Sequence, residues 1–211
     1  MAHDDDPDFA FEPVPGLPET LPRGEEILWQ GRPQTLALAR SSMGLGWIAG
    51  YFVLLAVARV AASAGSMGLA GALPLAIPFL LLGVVACGIV YLVALVQARA
   101  TLYTITTHRI AMRVGAALTL TLNLPFSRIA SADLGPAPGG TGTIALTTAG
   151  ETRLSYFVLW PHIRPWHMKK VQPALRCIPD ADAAARILAD AVETRMCQPE
   201  ISPRPMAVAA E

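Results

Sequence analysis

The polarity of this chain divides into blocks. Met43 to Ala58 contains no charged residue, Arg59 follows, and a second uncharged stretch runs from Val60 to Ala98. A helix needs about 20 apolar residues to cross a hydrocarbon core of about 30 Å, so the second stretch is too long for one span and too short for two. The economical division is a helix over residues 42–63, a Gly/Ser/Ala turn over 64–72 and a helix over 73–97. Pro74 and Pro78 then fall in the first turns of the second helix, where a missing N–H does little harm.

From Thr101 onward the period shortens to two. Leu118-Thr-Leu-Thr-Leu-Asn-Leu124 alternates at every position, and Ile110, Met112 and Val114 alternate just before it, with Gly115 as the turn. Alternation of this kind predicts strands with one buried face. Thr143 to Thr148 and Thr152 to Phe157 read as further short strands around Ala149-Gly150-Glu151, and Gly139-Gly140 marks another turn. Pro179-Asp180 then opens a helix, with Asp180 as N-cap and Ala184, Ile187, Leu188, Ala191 and Val192 as one apolar stripe. Antiparallel strands closed by one C-terminal helix describe a small half-open barrel.

The N-terminal 35 residues, rich in Pro, Glu and Asp, show neither period and read as extended or disordered. Within them Gly24 to Pro33, GEEILWQGRP, has an apolar centre and reads as a docked strand or turn. The organisation expected is an arm over 1–41, a transmembrane hairpin over 42–98, a β-rich domain over 99–197 and a loose tail over 198–211. The fold class is α+β, on a membrane anchor.

Composition supports this reading. Of 211 residues, 53% are hydrophobic and 15% charged, where a soluble domain carries about 25% charged. The zero net charge hides a split. Residues 1–42 hold three basic and eight acidic side chains, a net of −5, and residues 99–211 hold twelve and eight, a net of +4. Arg32 and Arg40 precede the first helix; Arg99, Arg109 and Arg113 follow the second. The positive-inside rule places both ends in the cytoplasm. The acidic start is unlike a signal peptide, so the first span reads as a permanent anchor. Cys87, Cys177 and Cys197 form no disulfide framework or zinc pattern.

Tyr103-Thr-Ile-Thr-Thr-His-Arg109-Ile, followed by Met112-Arg-Val-Gly115, resembles the first hairpin of bacterial pleckstrin-homology-like (PH-like) domains. In that group a GEE-x-L-W-x-G-R-P segment precedes a membrane hairpin, and Gly24 to Pro33 matches it. Phe9-Ala-Phe-Glu-Pro-Val-Pro-Gly-Leu-Pro18, Trp160-Pro-His-Ile-Arg-Pro-Trp166 and Gln172-Pro-Ala-Leu-Arg-Cys-Ile-Pro-Asp180 further resemble the PuhB family of photosynthetic complex assembly proteins of purple bacteria. That resemblance implies a non-catalytic factor in biogenesis of the reaction centre and its core light-harvesting ring in the inner membrane. Its partners would be subunits of those complexes and membrane lipids. It supplies no catalytic or binding residues.

Candidate residues therefore come from physical argument. Arg59 costs about 2.5–3.5 kcal/mol at the centre of a spanning helix, and neither span offers a carboxylate. It either snorkels to the far headgroups or pairs with an acidic group of a client. Ser42, Gly46 and Gly50, spaced by four, suit close helix packing. The preferred partner is the second helix, through Gly83 and Cys87, ahead of a homodimer or client contact. Arg164, Trp166, His167, Lys169 and Lys170 gather cations and aromatic rings, as a lipid-headgroup or client patch or merely a solvated loop.

His162 and His167 alone make a weak metal pair. No histidine lies between His3 and His108, so no pigment ligand is expected at membrane depth, and no cofactor. Asp133 and Glu151, the only carboxylates between Thr101 and Pro179, each fall in an expected turn, and phosphate-loop and nucleophile motifs are missing, so neither catalysis nor a nucleic-acid partner is expected. A rival reading is a general lipid-binding, membrane-organising protein.

Overall fold

The computed structural model describes residues 14–115, 119–137, 139–150, 154–165, 167 and 170–197. The tail over 198–211 and Phe9 to Pro13 of the arm lie outside them. Among the described residues one helical run, Leu45–Ala100, is long and apolar enough to cross a membrane. Its 56 residues reach a mean hydropathy of 2.8 over an 18-residue window of which only 11% is buried. Where two separate spans are expected, the run is one candidate span bent within itself. Helix α2 (Leu45–Ala72) carries a non-helical Gly68 at φ 74°, a 3₁₀ turn follows at Leu73–Ala76, and α3 (Ile77–Ala100) completes it. In a single rod Phe52 and Gly83 would stand ~46 Å apart. Instead a Cβ on Gly83 would lie 2.8 Å from Phe52 Cβ. The two helices therefore run back along each other.

Their seam is made of small residues. Ala56 and Ser63 of α2 and Gly83 of α3 are buried, while Leu54, Val57, Leu81, Val84 and Ile89 point outward. Small side chains on the seam and large ones outside suit apolar surroundings, where van der Waals contact rather than water exclusion joins helices.

A short helix that the polarity pattern does not reveal, α1 (Thr35–Ser42), precedes α2. Gly44, at φ 68°, breaks the two apart, in a left-handed conformation that a side chain disfavours. Ala37 and Leu38 of α1 pack with Ala98 of α3 and with Cys177.

The sheets are antiparallel. One orders β1 (Ile27–Gly31), β2 (Leu102–Thr106), β3 (Arg109–Val114) and β4 (Leu120–Pro125); the other orders β5 (Ile129–Ala137), β6 (Thr141–Thr148) and β7 (Ala174–Ile178). GEEILWQGRP thus supplies an edge strand, β1, whose Trp29 pairs with Ile105. Helix α5 (Ala181–Cys197) lays Ala184, Leu188 and Ala191 on a core of Tyr103, Ile105, Ile110, Met112, Ile144, Leu146 and Leu175. Asp180 precedes it and its carbonyl accepts from Ala183 and Ala184 N–H.

Two local readings need correction. Thr152 to Phe157 is not a strand where it is described. Leu154 and Ser155 are irregular, and Tyr156–Leu159 form a single helical turn, α4. Asp133 lies within β5, not in a turn.

Candidate functional site

The hairpin and the sheets meet in a buried polar chain. The Thr101 hydroxyl, one residue past α3, donates to the Gln97 carbonyl at 2.7 Å. It must therefore accept from His162 Nε2, at 3.0 Å. The other ring nitrogen, Nδ1, accepts from Tyr103 Oη at 2.6 Å, and that oxygen accepts the Arg176 backbone N–H at 3.3 Å. Every donor then has one acceptor, which sets the ring as the neutral Nε2–H tautomer. Burial, reinforced by Arg176, pulls the His162 pKa down to about 3, and burial pushes Tyr103 up.

Arg176, on β7, reaches back across the same junction. Its guanidinium donates to the Ile163 carbonyl at 3.3 Å and to the Ser41 carbonyl and hydroxyl at 3.4 and 3.2 Å. Burial lowers its pKa. The Ser41 hydroxyl also lies 3.1 Å from the buried thiol of Cys177, whose pKa burial raises. Arg113 caps the end of α3 by donating to the Ala100 carbonyl at 3.1 Å, a cation where the helix dipole favours one. These bonds hold the foot of the hairpin rigidly on the domain.

The first sheet is closed by a second polar knot. Glu25 Oε1 lies 2.8 Å from Arg109 Nε and accepts from the Thr106 hydroxyl at 2.7 Å. The GEE and TTHR segments, far apart in sequence, are thus one structural unit.

The predicted site residues do not assemble as one site. Ser42 ends α1 and so cannot share a helix face with Gly46 and Gly50. At both of those glycines an added Cβ would meet nothing within 4 Å. The intramolecular seam uses Gly83, with Phe52 as its neighbour, and Cys87 is half-buried one turn further on. Arg59 is exposed on α2, nine residues before Gly68, about 13 Å along the helix. It has no hydrogen bond or ion pair among the described residues.

Arg164 is not a free cation. It binds Asp133 at 2.9 Å and the Gln172 side chain at 3.2 Å. His167 is exposed and donates from Nδ1 to the Pro165 carbonyl at 2.9 Å. Lys170 is exposed; Trp166 and Lys169 lie outside the described residues. His162 cannot serve as a metal ligand, because both ring nitrogens are engaged. No group of three His, Cys, Asp or Glu that could hold a metal occurs among the described residues.

The sequence reading passes over an apolar cluster beside the junction. Phe157 is 89% exposed, Val158 and Trp160 are exposed too, and Leu159 between them is buried in the core. Read as a strand, Tyr156-Phe157 would alternate in and out; a helical turn instead turns Phe157 and Val158 outward together.

A half-open pair of antiparallel sheets closed by a C-terminal helix is the architecture of a PH-like domain, and the chain belongs to the bacterial PH domain family, which matches residues 43–192. It is also 46% identical over 207 residues to a Rhodobacter capsulatus protein described as an uncharacterized 23.7 kDa protein in the puhA 5' region, with 97% of each chain covered. No solved structure matches it.

Proposed function

We propose that this chain is a non-catalytic membrane-anchored factor for assembly of the photosynthetic reaction centre or its core antenna. The observation that carries the reading is kinship along nearly the whole chain with a protein located beside puhA, a photosynthesis gene. The resemblance of Trp160 to Trp166 and Gln172 to Asp180 to the PuhB family points the same way.

In this reading α2 and α3 both cross the bilayer and turn at Gly68, and both chain ends are cytoplasmic. Trp47 to Gly68 is ~32 Å of helix, the thickness of a hydrocarbon core. Trp47, Tyr51 and Tyr91 are exposed near the domain end, where aromatic belts sit. Gly46 and Gly50 would accept a client helix or a second copy of the chain. Adhesion is the whole activity, since the buried titratable groups are engaged in holding hairpin to domain.

Deleting the gene tests the proposal. Selective loss of reaction centres, with bulk membrane unchanged and subunits co-purifying with the tagged protein, is the expected result. A general defect in membrane lipid, with reaction centres made normally, would favour a lipid-binding, membrane-organising role instead.

A further inference from the structure

We propose that α4 with Trp160 is a second membrane attachment, a foot seated in the headgroup–acyl boundary beside the hairpin. Phe157, Val158 and Trp160 form an outward cluster while Leu159 anchors the turn in the core. Contiguous exposed apolar groups of this kind mark interaction surfaces, unlike scattered single residues.

The position of the turn identifies what covers it. The Leu159 carbonyl accepts the His162 N–H at 2.7 Å, and the His162 ring is bonded to Thr101 at the end of α3. On the other side the Ile163 carbonyl, just past the turn, accepts from the Arg176 guanidinium at 3.3 Å, and that guanidinium is bonded to Ser41, four residues before α2 begins. The turn is therefore clamped between the two points where the hairpin leaves the domain. At this end the hairpin itself is apolar outward, through Trp47, Leu92, Val93 and Val96. The foot continues a surface that faces acyl chains, so its occupant is phospholipid rather than a protein groove.

The rim is cationic. Arg40, Arg99 and Lys170 are exposed, and such charges attract an anionic leaflet while tryptophan favours the interface. Seating the foot would fix the tilt that the hairpin and the domain held rigidly on it take up together in the bilayer.

This inference rests on the reading of α2 and α3 as membrane-spanning, and the test separates the two. The full chain carries p-benzoylphenylalanine at Phe157, at Val84 on the outer face of α3, or at exposed Glu193 on α5. Each protein is irradiated in nanodiscs of phosphatidylethanolamine and phosphatidylglycerol, and in native membranes. Phe157 is so exposed that its replacement leaves the core intact. Phospholipid adducts at positions 157 and 84, at least tenfold above those at 193, are expected. Adducts at 84 with none at 157 overturn the foot and leave the spans standing. A protein adduct at 157 in native membranes overturns it in favour of a client surface. Absence of lipid at 84 overturns both.

Discussion

The phenol of Tyr103 donates to Nδ1 of His162 across 2.6 Å, and this bond fixes in the domain the ring that also holds Thr101 at the end of α3. Both residues are fully buried, so water cannot replace either partner. Tyr103→Phe leaves the ring nitrogen without a donor and the Arg176 N–H without an acceptor. Each orphaned group costs about 1–3 kcal/mol. The variant should therefore melt well below the parent in detergent, followed by tryptophan fluorescence. Tyr51→Phe, on the exposed face of α2, should melt with the parent. Equal melting of the two variants would contradict the relay.

The same ring gives stability a pH dependence. His162 stays neutral in the fold, with a pKa of about 3, whereas in the unfolded chain it titrates near 6.5. Between these values the unfolded chain binds a proton that the folded chain refuses. Stability from this group is complete above about pH 6.5 and declines as pH falls toward 3, by about 2 kcal/mol at pH 5. His162→Gln removes the titration. The gap in melting temperature between parent and variant should narrow from pH 7 to pH 5; a gap independent of pH would refute the assignment of a neutral ring.

What could be read from the residues followed from strength of pattern. The uncharged run, the alternation at Ile110 to Val114 and the stripe at Ala184 to Val192 each obey one physical period, and the structure places helix, strand and helix there. β5 obeys none: its face is mostly exposed and Pro136 sits within it, as an edge strand permits. β7 is buried at every position, so no alternation marks it. The candidate site was least legible, because Thr101 with Tyr103, His162 and Arg176 come from three separate segments and are joined only by tertiary structure. The Glu25–Arg109 pair spans 84 positions, and only the resemblance of both segments to one family hinted that they meet.

Small residues at the same spacing should behave differently on the hairpin. A side chain at Gly83 would collide with Phe52, so Gly83→Leu must push α2 and α3 apart. Overpacking of this sort costs about 1–3 kcal/mol. Gly46→Leu grows into open space and should leave stability unchanged. Melting curves in one detergent compare them directly. If Gly46→Leu melts normally yet recovers fewer reaction-centre subunits, the open glycine face is the client contact; a large loss of stability from Gly46→Leu would mean that the seam is drawn wrongly.

Arg59 tests whether the outer face of α2 meets lipid or protein. It lies ~13 Å along the helix from the turn at Gly68, exposed, with no carboxylate on either apolar helix. In the proposed spanning arrangement a long side chain there carries its charge toward the far headgroups while its stem stays in the acyl region. On this account the charge is tolerated and not used. Arg59→Leu should insert at least as well as the parent, and Arg59→Lys should match it, with client recovery unchanged in both. Recovery is measured by quantitative co-purification from membranes holding equal amounts of each protein. Loss with leucine but not with lysine would assign the cation to an acidic group on a client helix, and snorkelling would no longer account for it.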